Sequence, residues 1–162
     1  MHRIVEAAAK LPAGVTVDIY GPMSPQDALE VGVDRLGQTA SVRYRGIVSS
    51  HDVPEILKHY DVLLLPTTWK TEGHPGVILE AFSAGVPVIA TRWNGIPELL
   101  DASCGILIEP ESTEALIEAI HKMHEDREGW QRMRYGALAR IKNFDPEVWT
   151  RSFHDWIMEV VK

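Results

Sequence analysis

Two periods of apolar residues alternate along this chain. Residues 2–11 place Ile4, Val5, Ala8 and Leu11 at helical spacing, and Pro12 with Gly14 ends the run. Val15 to Tyr20 is a short apolar segment closed by Gly21-Pro22, which reads as a buried strand and a turn. Residues 24–37 read as helix or loop: Ser24 suits the cap of a short helix through Leu29, but Gly32 and Gly37 weaken a longer one. Val42 to Val48 alternates like a strand, and the capping types Ser49, Ser50 and Asp52 then introduce a helix over 53–59. The continuous run after Asp61, Val62 to Leu65, is the pattern of a strand covered on both faces.

The second half is more regular. Val77, Ile78, Ala81 and Phe82 predict a helix over 76–84, with Gly85 where a helix C-cap belongs. Strand 87–91, a short helix near 97–100 and strand 105–108 follow, and Ser112 or Thr113 caps a helix over 113–125. Residues 128–142 and 146–161 complete the pattern as helices. Short apolar strands alternating with helices specify an α/β fold, a doubly wound, Rossmann-like parallel sheet with helices on both faces. In such sheets ligands bind beyond the carboxyl ends of the strands.

Composition narrows the function classes. At 162 residues the chain fits one domain of ordinary size. With 16 Lys and Arg against 23 Asp and Glu, the net charge of −7 has the wrong sign for gripping a nucleic-acid backbone. The single cysteine, Cys104, cannot form an internal disulfide and suits a reducing compartment, so a cytoplasmic location is expected, with any membrane contact peripheral. The first residues lack the apolar run of a signal peptide, and no stretch reaches the ~18 apolar residues of a membrane span. His121 and His124, three apart, have no cysteine or carboxylate at a recognised metal-ligand spacing and read as surface residues. Cys104, without basic neighbours, reads as buried and inert, and Ser83 as a small residue where helix packs on sheet. Trp149, Phe153, Trp156 and Ile157 form a helical stripe of the kind that lines a core.

The chemistry concentrates after strand 62–65, in PTTWKTEGHPG, which runs into the helix carrying Glu80. A helix N-terminus offers free amides and a positive dipole end, and Gly73 and Gly76 let an anion come close to the backbone. Glu72 lies just before that helix, and the four steps from Gly76 to Glu80 rise about 6 Å. A carboxylate accepts hydrogen bonds from a vicinal diol, so the pair suits a sugar, a diphosphate and a ribose in line. Glu72 equally reads as an acid at a helix start and Glu80 as a plain helix residue, and on residue chemistry alone the two readings stand level.

The segment TEGHPGVILEAFSAGVPVIATRWNGIPELL, in which seven residues separate Glu72 from Glu80, resembles the carboxyl-terminal domain of the family 4, or group 1, retaining glycosyltransferases. The resemblance extends through Gly105-Ile-Leu-Ile-Glu-Pro and covers most of residues 42–125; the PTTWKTEGHPG form is most similar to bacterial enzymes that build capsule, lipopolysaccharide or exopolysaccharide. It implies the C-terminal half of a GT-B fold, binding a nucleotide-sugar donor for transfer to a saccharide or lipid-linked acceptor, without a metal. On matching positions Glu72 is the catalytic candidate, touching sugar hydroxyls, and Glu80 holds the ribose. Gly73, His74 and the amides of Gly76 and Val77 meet the diphosphate or sugar, and Gly46 and Ile47 lie by the base. His74 stands where the family often has an aromatic residue, and Asn94-Gly95-Ile96-Pro97-Glu98 matches its Gly-rich turn.

The departures carry expectations too. The family's first strand, and the Arg and Lys that grip the diphosphate, would precede Met1. A sheet of order 3-2-1-4-5-6 without its first strand has a gap between strand 16–20 and strand 62–65. The expected partners are therefore an N-terminal glycosyltransferase domain, without which the chain is inactive, or a second copy pairing across the gap as a homodimer. The donor-binding domain of a cytoplasmic glycosyltransferase is the main reading, with a peripheral position at the inner membrane face as a variant of it. A non-catalytic partner subunit or relic is the alternative.

Overall fold

A computed structural model of the protein describes residues 2–23 and 41–161, so the reading of residues 24–37 lies outside the described residues. Helix α1 (His2–Ala7) runs into a 3-10 turn (Ala8–Lys10), followed by β1 (Val17–Tyr20), β2 (Val42–Gly46), α2 (Val53–Leu57), β3 (Leu63–Leu65) and α3 (Gly76–Ser83). β4 (Val88–Thr91), α4 (Ile96–Leu99), β5 (Gly105–Ile108), α5 (Thr113–Glu125), α6 (Arg127–Arg140), a second 3-10 turn (Ile141–Phe144) and α7 (Pro146–Val160) complete the order. α2 is shorter than predicted because its end tightens: the amides of His59 and Tyr60 donate to the carbonyls of Ile56 and Leu57, three residues back. Ser112, not Thr113, caps α5, its hydroxyl accepting the Ala115 amide at 3.0 Å.

All pairing among these strands is parallel. β4 is the centre of a three-stranded sheet, Leu63 facing Val88 on one side and Val88 facing Gly105 on the other. Its four residues are all buried, and their alternation explains the layers. Val88 and Ala90 pack with Ile78, Ala81 and Phe82 of α3 and Ile96 and Leu99 of α4. Ile89 points the other way, into Leu116, Ala119 and Ile120 of α5. Each of the Val, Ile, Leu and Phe side chains among these contributes about 1.5–3 kcal/mol by leaving water. The turn from α3 into β4 needs a left-handed residue, and Gly85 supplies it with φ +68°. The Val86 amide then donates to Ala81 and the Gly85 amide to Phe82, closing the helix.

The other two strands form a separate sheet, β1 beside β2, with Val17 facing Val42. Among the described residues the break in pairing falls between β1 and β3, where the sequence places the gap. Leu64 of β3 still packs against the small cluster of Val17, Ile19 and Val42. A polar link accompanies it: Tyr60, just before β3, donates to Asp18 Oδ2 at 2.7 Å and lies 2.7 Å from the Tyr20 hydroxyl. Arg45 also donates to Asp18 Oδ2, whereas Arg43 lies 3.1 Å from Oδ1 without directing a proton at it, so that buried oxygen accepts no hydrogen bond. Burial pushes the Asp18 carboxyl up, but the bonds from Tyr60 and Arg45 and the nearby arginine charges outweigh it, leaving the group below its ordinary range. Burial together with Tyr20 and Asp18 pushes the Tyr60 phenol well above its ordinary value.

β3 is covered on both faces over 62–65 as predicted, Leu63 and Leu65 packing on the cluster under α3 and Val62 and Leu64 on the cluster under α5, although its three leucines stay half-buried. Two expectations need correction. The stripe of Trp149, Phe153, Trp156 and Ile157 is not core, since α7 has no buried residue and packs mainly on the preceding 3-10 turn. Ser83 is exposed, its hydroxyl donating back to the Glu80 carbonyl at 2.7 Å. Cys104 is buried as predicted, and burial pushes its thiol up. No helix among the described residues is long and apolar enough to cross a membrane.

Two stability measurements check this account. Asp18→Asn should lower unfolding free energy at pH 7 by about 1–3 kcal/mol. A carboxyl with a lowered native pKa stabilises above its unfolded value, near 3.9, and that stability is lost as pH falls through the native value. The variant should therefore lose less stability than the parent on acidification, read from urea midpoints at pH 7 and pH 3. Phe153→Ser and Trp156→Ser, on the exposed helix, should each change stability by less than about 0.5 kcal/mol.

Candidate functional site

The predicted residues gather at the carboxyl ends of β2 and β3. β2 ends at Gly46, held in a left-handed conformation with φ +81°, its carbonyl accepting the Gly21 amide at 2.9 Å. Ile47 follows with 74% of its surface exposed, an apolar side chain with no protein contact to explain it. Beyond β3 the chain turns through Pro66 to Pro75 into α3. Pro75 stands at the N-cap of α3 with φ −65° and ψ 118°, and it has no side chain with which to cap the helix. The first backbone bond of the helix start runs from Ile78 to Pro75, so the amides of Gly76 and Val77 precede it. A Cβ built on Gly73 or Gly76 would meet nothing within 4 Å, leaving these amides open to a ligand.

Glu72 is half-buried and doubly held: its amide donates to the Trp69 carbonyl at 3.0 Å and its Oε2 accepts from the Thr67 hydroxyl at 3.3 Å. Glu80 sits one turn into α3, also half-buried, with a carbonyl that takes the Ala84 amide. His74 is exposed, with Nε2 3.0 Å from Oε2 of Glu98. The structure thus brings Glu72, Gly73, His74, Gly76 and Val77 into one loop-to-helix junction. Gly46 and Ile47 lie on the strand of the other sheet. A cavity of about 500 Å³ lies elsewhere, around the amino-terminal ends of β1 and β3 between Thr16, Asp18, Arg43, Tyr60 and Asp61, and contains none of the predicted residues. Among the described residues no three His, Cys, Asp or Glu side chains converge to hold a metal ion.

The segment after β4 is where sequence reasoning missed functional detail. The Thr91 hydroxyl donates to the Thr67 carbonyl at 2.5 Å, the Trp93 indole to Trp69 at 2.9 Å, and the Asn94 amide to Lys70 at 3.2 Å. Gly95 is packed so closely that a Cβ there would lie 2.8 Å from the Gly73 carbonyl and 2.7 Å from the His74 ring. The α4 helix carrying Glu98 is itself clamped: Arg140 of α6 donates to the carbonyls of Glu98 and Leu99. The one trace of this in the sequence is the Asn94-Gly95 pair, which reads simply as a turn; Asn94 takes φ 44°.

Against this geometry the chain can be compared with known proteins. The family profile described as Glycosyl transferases group 1 matches residues 1–126. The chain is 33% identical over 128 residues to the lipopolysaccharide glucosyltransferase WaaG of Escherichia coli, covering 75% of this chain and 33% of that protein. It is 30% identical over 127 residues to the lipopolysaccharide core biosynthesis glycosyltransferase LpsE of Rhizobium meliloti, covering 77% of this chain and 36% of that one. It therefore spans about a third of the length of these curated relatives. Among solved structures, HepE of Anabaena in complex with UDP superposes with a TM-score of 0.84 over 98% of this chain and 45% of that one, at 24% identity. The C-terminal domain of the group 1 family protein LpcC from Francisella tularensis matches at 0.73 and 22% identity, covering 88% of this chain and 77% of that one. The chain belongs to the group 1 glycosyl transferases, and its fold is that of their C-terminal domain.

Gly95→Ala tests the packing of the two loops. The new methyl must displace backbone at Gly73, so the variant should lose about 1–3 kcal/mol, seen as a lowered thermal midpoint. An unchanged midpoint would mean that the loops are not in contact.

Proposed function

We propose that this member of the group 1 glycosyl transferases is the donor-binding half of an enzyme. It moves a sugar from a nucleoside diphosphate sugar to a saccharide or lipid-linked acceptor, with retention at the anomeric carbon, in the synthesis of capsule, lipopolysaccharide or exopolysaccharide. The observation that carries this reading is the start of α3: two open glycines and uncapped amides, with Glu72 before them and Glu80 one turn beyond. The relatives support it. WaaG is a lipopolysaccharide glucosyltransferase, and HepE was crystallised with UDP, with UDP and glucose, and with UDP-glucose.

In this reading the Gly76 and Val77 amides accept the charge that develops on the departing diphosphate, where fixed dipoles act without reorganising. Glu72 orients the sugar through its hydroxyls, Glu80 holds the ribose diol, Gly46 and Ile47 line the base, and Gly73 and His74 stand beside the sugar-diphosphate junction. The helix terminus does the work of a cation, so the reading calls for no metal. The acceptor side of the cleft belongs to an N-terminal domain, and the chain alone binds donor without turning it over.

Calorimetric titration with UDP tests the reading. Binding is expected for the parent chain, and Glu80→Ala should weaken it about tenfold or more, the loss of hydrogen bonds to a charged group. Folded protein that takes up neither UDP nor GDP would overturn it.

A further inference from the structure

The β3–β4 ladder ends at the pair Leu65 and Ala90, because the amide of Thr67, the next residue in line to face β4, turns back to the Leu65 carbonyl at 2.9 Å. The two chains nevertheless stay side by side. Thr91, Trp93 and Asn94 each donate to the carbonyl 24 residues earlier, and His74 meets Glu98 across the same interval. One fixed offset over eight residues means that side chains on one segment replace the missing backbone rungs of a parallel ribbon.

Those rungs converge on Glu72. The Trp69 carbonyl that accepts the Trp93 indole also accepts the Glu72 amide. Thr67, whose carbonyl accepts from Thr91, takes the Trp69 amide on its hydroxyl oxygen and passes that hydroxyl's proton towards the Glu72 carboxylate. Thr91 is 1% exposed and Trp93 packs against the main core cluster, so both donors are anchored in the interior while Trp69 itself is 70% exposed. The loop bearing Glu72 is thus tied by hydrogen bonds to the end of the buried strand beside it and to the segment that follows that strand.

We propose that Thr91 and Trp93, assisted by Asn94, are positioning residues that set the Glu72 carboxylate for the sugar of the donor. The identity of that ligand rests on the function proposed above; the positioning itself does not. Because the ribbon leads to Glu72 and not to Glu80, its loss should weaken recognition of the sugar and spare recognition of the nucleotide.

The test compares UDP-glucose with UDP by calorimetry, and follows hydrogen exchange of the Glu72 amide, in the parent chain, Thr91→Val, Thr91→Ser and Trp93→Phe. Valine keeps the shape of threonine without its donor, serine keeps the donor, and phenylalanine keeps a ring without the indole N–H. Thr91→Val and Trp93→Phe should raise the Kd for UDP-glucose about fivefold to tenfold and leave that for UDP within about twofold, with Glu72 exchange about tenfold faster. Thr91→Ser should behave as the parent. Equal loss for both ligands, no loss for either, or failure of serine to rescue would overturn the proposal. If the parent binds neither ligand, the nucleotide-sugar reading fails, and unchanged Glu72 exchange in Trp93→Phe then separately refutes the positioning role.

Discussion

The complete burial of β4 is the constraint on which the site depends. A strand with both faces covered and both edges paired has one available position, so Val88 to Thr91 fix where the chains on either side emerge. β3 inherits its register from β4, and the loop from Pro66 to Pro75 starts from that register. α3 packs Ile78, Ala81 and Phe82 onto the same strand, which places its first turn beyond the end of the sheet. An uncapped helix start would be a liability on a mobile loop. Held by a buried strand at one end and a packed helix at the other, it has the fixed direction that the proposed diphosphate site requires.

The half of the molecule that contains β1 and β2 is joined to the rest through side chains. Ile4, Leu11 and Leu64 each pack on both the cluster of β1 and β2 and the cluster under α5, and Asp18 adds a link through Tyr60, with two arginines on the same carboxylate. A buried carboxylate with one oxygen lacking a hydrogen bond is a costly link. Gly46 and Ile47 follow from this sheet and Glu72 and Glu80 from the other, so in the proposed reading the relation between the two sheets sets how a base and a sugar are held together.

Much of the fold is legible in the sequence because the strongest signals are local. The apolar run at 88–91, the glycine at 85 and the serine at 112 each announce their element through a few neighbouring residues. The placement of the glycines and glutamates around the start of α3 is equally legible, since a loop-to-helix junction is made from consecutive positions. The apolar run of β3 rightly marks two covered faces, but it does not reveal how completely they are buried. The aromatic stripe of α7 misled for a related reason: amphipathic periodicity describes a face that wants a partner, and says nothing of whether the partner is present. The links from Thr91, Trp93 and Asn94 to the Glu72 loop leave no periodic trace, because a side chain bonding to a carbonyl 24 residues away depends on strand register alone.

The central claim is that the amides opening α3 receive the diphosphate of the donor. Amide chemical shifts during a titration with UDP test this most directly, residue by residue. The account predicts saturable shifts largest at Gly76 and Val77, with smaller ones at Gly73 and Gly46. Saturable binding that moves residues around the cavity between Thr16, Arg43 and Asp61 while leaving Gly76 and Val77 in place would contradict it.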